Sequence, residues 1–123
     1  MKVDIKSLQP NSVWSVIFND EGSWRSGLYK PEFNNQNEIT ILEKHSCPEL
    51  FVCLKGKMGL VIYGNNKETI FTMEPEQAIL ITDFHNGFSI DSDGYFLVVE
   101  RTTFNTEYID RKSRAFIKKI EVR

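Results

Sequence analysis

A chain of 123 residues with 41% apolar residues has the size of one domain around one core, which excludes intrinsic disorder. Fifteen basic against seventeen acidic residues, a net charge of -2, exclude whole-domain attraction to nucleic acid or to an anionic membrane. Apolar runs such as Ala78 to Ile81 are far too short to span a bilayer, and Met1 to Lys6 lacks the apolar stretch of a secretory signal, so a cytoplasmic protein is expected.

In chain order, short β-branched or aromatic segments bounded by turn residues predict strands at Ser12 to Phe18, Trp24 to Tyr29, Glu38 to Glu43, Glu49 to Lys55, Gly59 to Tyr63, Glu68 to Met73, Ala78 to Thr82, Phe88 to Asp91 and Tyr95 to Arg101. Gly64-Asn65-Asn66 predicts a hairpin turn, because these residues tolerate positive φ, and Glu74-Pro75-Glu76 and Asp91-Ser92-Asp93-Gly94 mark the next reversals. After Thr106 the apolar residues fit a helix face or a hairpin turning at Arg111-Lys112-Ser113-Arg114. The β-formers from Phe116 to Val122 favour the hairpin, with lysines suited to a protected edge. With no linker to divide it, the chain reads as one all-β domain over residues 1–123.

Cys47 and Cys53 form no Cys-x-x-Cys pair and are expected to be free thiols, Cys53 in the core. The two histidines, His45 and His85, each stand at the boundary of an expected strand. Glu43 and His45 point to the same side of an extended segment, and Glu49 follows closely, so three potential metal ligands crowd one strand end. From Glu49 the alternation puts Phe51 and Cys53 on the same face as the carboxylate and Leu50, Val52 and Leu54 on the other, until Gly56 lets the chain turn.

The spacing of His45, Glu49 and Gly56 resembles the first motif of the cupin superfamily, with Glu43 in place of the motif's first histidine and Asn37 in place of its leading glycine. His85 resembles the lone histidine of the second motif, although Leu80, Thr82 and Ser89 replace that motif's proline, inner glycine and asparagine. The resemblance runs over residues 39–99 and includes a compact spacer from Lys57 to Met73. It implies an antiparallel jelly-roll sandwich, the double-stranded β-helix barrel, in which His45, Glu49 and His85 converge on a divalent metal such as iron, manganese, zinc or nickel, with Glu43 completing or flanking the shell. His85 and Glu49 would then also be the catalytic groups.

Beyond this cluster, Trp14, Trp24, Tyr29 and Phe33 are either cavity walls or packing, and Arg25 and Lys30 either contact an acidic substrate or are solvated. Cys47 is either a soft ligand or, as the residues favour, a loop thiol. Arg111, Lys112, Arg114, Lys118, Lys119 and Arg123 hold six of the fifteen basic residues, with a solvated edge hairpin favoured over an anion site. The expected function is a metal-dependent cupin acting on a small polar molecule, by oxygenase, isomerase or lyase chemistry. The alternatives are a metal-free isomerase or epimerase resembling the nucleotide-sugar cupins, and a non-catalytic small-ligand-binding domain. A homodimer covering an open sheet face or edge is expected, with no nucleic-acid or membrane partner.

Overall fold

The computed structural model describes residues 3–122 and consists of β-strands with one 3-10 turn. The strands are β1 (Trp14–Asp20), β2 (Trp24–Tyr29), β3 (Ile41–His45), β4 (Glu49–Lys55), β5 (Met58–Gly64), β6 (Lys67–Met73), β7 (Ala78–Ile81), β8 (Phe84–Ser89), β9 (Tyr95–Arg101), β10 (Phe104–Asp110) and β11 (Phe116–Val122). They form two antiparallel sheets, a five-stranded one in the order β1-β2-β9-β4-β7 and a six-stranded one in the order β11-β10-β3-β8-β5-β6. This is the expected jelly-roll sandwich. No helix among the described residues is long and apolar enough to cross a membrane.

Local chemistry sets the turns. Asn65 and Asn66 both take positive φ, 53° and 60°, which closes the β5–β6 hairpin with two residues as the sequence suggests. Gly56 has φ 70°, and a Cβ there would lie 2.8 Å from the Gly94 backbone, so the motif glycine answers a steric demand.

Two expected strands shift. Glu38 to Glu43 begins instead as a 3-10 turn, Gln36–Glu38, with Asn35 accepting from the Asn37 amide, and the strand runs from Ile41 to His45. Phe88 to Asp91 is replaced by Phe84–Ser89, so His85 lies inside a strand. His85-Asn86-Gly87 has low β propensity, and its extended form comes from its place between β3 and β5.

The main core joins the sheets. Phe51, Cys53, Phe96 and Val98 of one pack against Met58, Leu60 and Met73 of the other, all at most 5% exposed. A second cluster, Ile39, Leu42, Val61, Phe88 and Ile109 with Phe33, is built from residues alternating with the inward ones, Leu42 with Glu43 and Val61 with Leu60. It packs beneath the segment leading into β3. Cys47 and Cys53 are both buried free thiols.

Candidate metal centre

The β3–β4 loop, Ser46-Cys47-Pro48, carries the chain from the six-stranded sheet to the five-stranded one. Glu43 and His45 therefore reach inward from one wall and Glu49 from the other. Pairing of β3 with β8 sets His85 directly opposite Glu43, and pairing with β10 sets Thr106 beside His45 and Tyr108 beside Glu43. The four residues read from the sequence come together at one end of the sandwich interior.

Glu49 Oε1 lies 2.9 Å from His45 Nε2 and 3.0 Å from His85 Nε2, and Glu43 Oε1 lies 3.5 Å from His45 Nε2. Yet Glu49 Oε1 and His85 Nε2, both buried, have no aligned hydrogen bond. The atoms are close without aiming at one another. Ligands at about 2.1 Å from one divalent ion and at right angles stand about 3.0 Å apart, so this separation fits donors at neighbouring positions around one ion.

The far nitrogens of both rings are tied down. His85 Nδ1 donates to the Asp83 carbonyl at 2.8 Å, and His45 Nδ1 is hydrogen-bonded to Thr106 Oγ1, also at 2.8 Å. A carbonyl only accepts, so neutral His85 carries its proton on Nδ1 and presents the Nε2 lone pair inward, the form a metal requires. Donor atoms of Glu43, His45 and His85 form one compact set, and those of His45, Glu49 and Glu100 form another. Cys47 belongs to neither set among the described residues.

Electrostatics follow from this crowding. Burial opposes charge on His45, but the adjacent Glu43 and Glu49 outweigh it and raise the imidazole to about 10. Burial likewise opposes ionisation of Glu49, but the two imidazoles within 3.0 Å and their positive charge lower it to about 2. His85 is raised despite burial, chiefly by Glu49.

A cavity of about 270 Å³ adjoins the cluster, lined by Trp14, Tyr29, Phe51, Val98 and Phe104 as well as the polar groups. Trp14 and Tyr29 are thus cavity walls. Gly27 makes room for the Trp14 indole, which a Cβ would approach to 2.4 Å. Trp24 is 44% exposed and Phe33 packs in the second cluster, so neither lines the cavity.

Of the two readings for Arg25, the solvated charge is ruled out. It reaches the cavity wall and pairs with Glu100, its direct partner across β2 and β9, at 2.5 Å. Glu100, 7% exposed, is a site residue the sequence reading missed, though the alternation Phe96-Val98-Glu100 already points it inward. Burial and the nearby Glu49 raise its carboxyl to about 7. Lys30 does not line the cavity.

The basic tail is an edge hairpin with Lys112, Lys118 and Lys119 exposed, as expected, and only its two turn arginines depart from solvation. Arg111 donates to Glu68 and to the Gln36 and Ile39 carbonyls, and Arg114 also pairs with Glu68. Arg123 lies outside the described residues.

No protein-family model matches the chain, and no curated protein matches it. Among solved structures, a cupin-2 domain containing protein from Shewanella frigidimarina superposes with TM-score 0.56 at 15% identity, over 74% of this chain and 83% of the other. The chain has the cupin fold. Hydroxypropylphosphonic acid epoxidase from S. wedmorenis, in complex with fosfomycin, shares that cupin-like arrangement with TM-score 0.60 at 9% identity, over 72% of this chain and 49% of the enzyme. CoII HppE in complex with substrate gives 0.63 at 8% identity, over 82% and 57%. The chain spans about half the length of these epoxidase chains, and at such identity the likeness concerns the fold.

Proposed function

We propose that this cupin holds a divalent transition metal through His45, Glu49 and His85, with Glu43 beside them, and acts on a small polar molecule in the adjoining cavity. The observation that carries this is the Glu49–His85 contact, in which two buried polar atoms 3.0 Å apart form no aligned hydrogen bond while both imidazoles are oriented from behind. Two imidazoles with carboxylates suit iron, manganese, zinc or nickel. Cobalt and iron forms among the similar structures support the reading. When bound, the ion supplies Lewis acidity toward a ligand oxygen. The chain's own groups orient the donors: Thr106 and Asp83 fix the rings, Tyr108 stands beside Glu43, and aromatic residues wall the adjoining cavity. Elemental analysis of the purified protein tests this. Stoichiometric metal bears it out, and a protein that neither contains nor binds divalent ions at micromolar concentration refutes it.

A second reading, metal-free proton transfer as in an isomerase or epimerase, is favoured by the His45 Nε2–Glu49 contact at 2.9 Å, which is within proton-transfer reach. Refutation of the metal would shift the assignment there or to a non-catalytic ligand-binding domain.

Two buried free thiols support a reducing, cytoplasmic location. For the expected homodimer, we propose the outer face of the five-stranded sheet as the contact surface. Leu50 and Leu80 there are 37% and 64% exposed, and half-buried Val52, Leu54, Leu97 and Val99 continue an apolar surface. A monomer by analytical ultracentrifugation would refute the dimer.

A further inference from the structure

We infer that the cavity takes a small uncharged molecule with an aromatic or branched apolar body, and that Glu100 enforces this choice by occupying the arginine in the cavity wall. The apolar walls are Val13, Trp14, Tyr29, Phe51, Val98 and Phe104. About 270 Å³ lies just below the range of about 300–1,000 Å³ for drug-sized ligands, and suits a body of about one ring.

Arg25 is the group that would attract an anion, and it is already engaged. Its Nε donates to Glu100 Oε2 at 2.7 Å and its Nη2 lies 2.5 Å from the same oxygen. The guanidinium is also 5.5 Å from the Trp14 ring centre and 5.4 Å from that of Phe104. Its edge is held by a carboxylate and aromatic rings flank it.

Charge counting gives the same answer. Glu43, Glu49 and Glu100 oppose Arg25 and one divalent ion, so the site balances with neutral imidazoles. An anionic ligand would bring an uncompensated charge between aromatic walls, where screening is weak. Without the ion, protonated His45 offsets one carboxylate, so exclusion of anions then rests on the engagement of Arg25 by Glu100. Exclusion of cations rests on the proposed metal.

The test uses three one-ring probes that differ in charge: benzamide, benzoate and benzylamine. Trp24→Phe leaves Trp14, in the cavity wall, as the one tryptophan, so its fluorescence reports occupancy of the zinc-loaded protein. Benzamide is expected to bind at least about tenfold more tightly than either charged probe. Glu100→Gln, which releases Arg25 and removes one negative charge, is expected to reverse the order toward benzoate with zinc content unchanged. Benzoate or benzylamine binding best in the starting protein overturns the inference, as does no binding of any probe at millimolar concentration. Glu100→Gln without a gain for benzoate overturns the role of Glu100, and so does loss of zinc in that variant, which would make Glu100 a ligand. Failure of the metal reading is seen separately as absence of zinc from the loaded protein. The comparison of benzamide with benzoate then still decides whether anions are excluded.

Discussion

Glu43 and His85 face each other as direct partners across β3 and β8, although 42 positions separate them in the chain. His45 sits two residues beyond Glu43, and the β3–β4 loop brings Glu49 back toward both imidazoles. The donors belong to three strands in two sheets, so the site is a property of the sandwich, whose stability comes from its apolar layers.

That separation of roles predicts the effect of removing ligand or metal. His85→Ala is expected to abolish metal binding while the metal-free protein keeps its β-rich circular dichroism, and Glu43→Ala to weaken binding less than His45→Ala. An ion at a hundredfold excess over Kd stabilises by about 2.7 kcal/mol, so chelation should lower the Tm. An unchanged melting curve after chelation would contradict this.

In the proposed centre Thr106 would act on the metal only through His45, so its loss should be felt as affinity. Thr106→Val removes the 2.8 Å bond to Nδ1 while conserving volume, and is expected to reduce metal affinity about 10- to 100-fold. Thr106→Ser should restore it. Calorimetric titration of the three proteins checks the pair, and equal failure of Ser and Val would show that Thr106 serves packing alone.

The pH dependence has two signs. Metal must displace the proton that His45 keeps up to about pH 10 in the metal-free protein, so affinity should rise by up to about tenfold per pH unit in the neutral range, with proton release visible in buffers of different ionisation enthalpy. A pH-independent affinity would contradict this. The metal-free fold behaves oppositely: a raised imidazole pKa gives stability fully present below 6.5 and lost as pH rises through about 10. The lowered Glu49 adds stability present above 4.5 and lost as pH falls toward about 2.

Arg111 provides a contrast remote from the proposed metal centre. Its side chain, 15% exposed, ties Glu68 to the Gln36 and Ile39 carbonyls and so pins the segment covering the second cluster. Arg111→Ala is expected to cost about 2–3 kcal/mol in denaturant unfolding with metal affinity unchanged. A loss below about 0.5 kcal/mol would show that the network is solvent-screened.

The sequence by itself determined the strand-and-turn grammar and the composition of the donor cluster. Alternation from Glu49 to Lys55 is a local pattern, and so is the two-asparagine turn, because period-two side-chain direction and positive-φ tolerance are properties of adjacent residues. The spacing of His45, Glu49 and Gly56 was readable for the same reason. What surrounds the cluster was decided only in three dimensions. The strand holding His85 is formed by its neighbours on both sides, against the preference of Asn86 and Gly87. Arg25 meets Glu100, and Thr106 meets His45, through pairings between residues 75 and 61 positions apart. Such pairings are set by burial of whole sheet faces, and that cooperative packing energy is invisible to any short window of the chain.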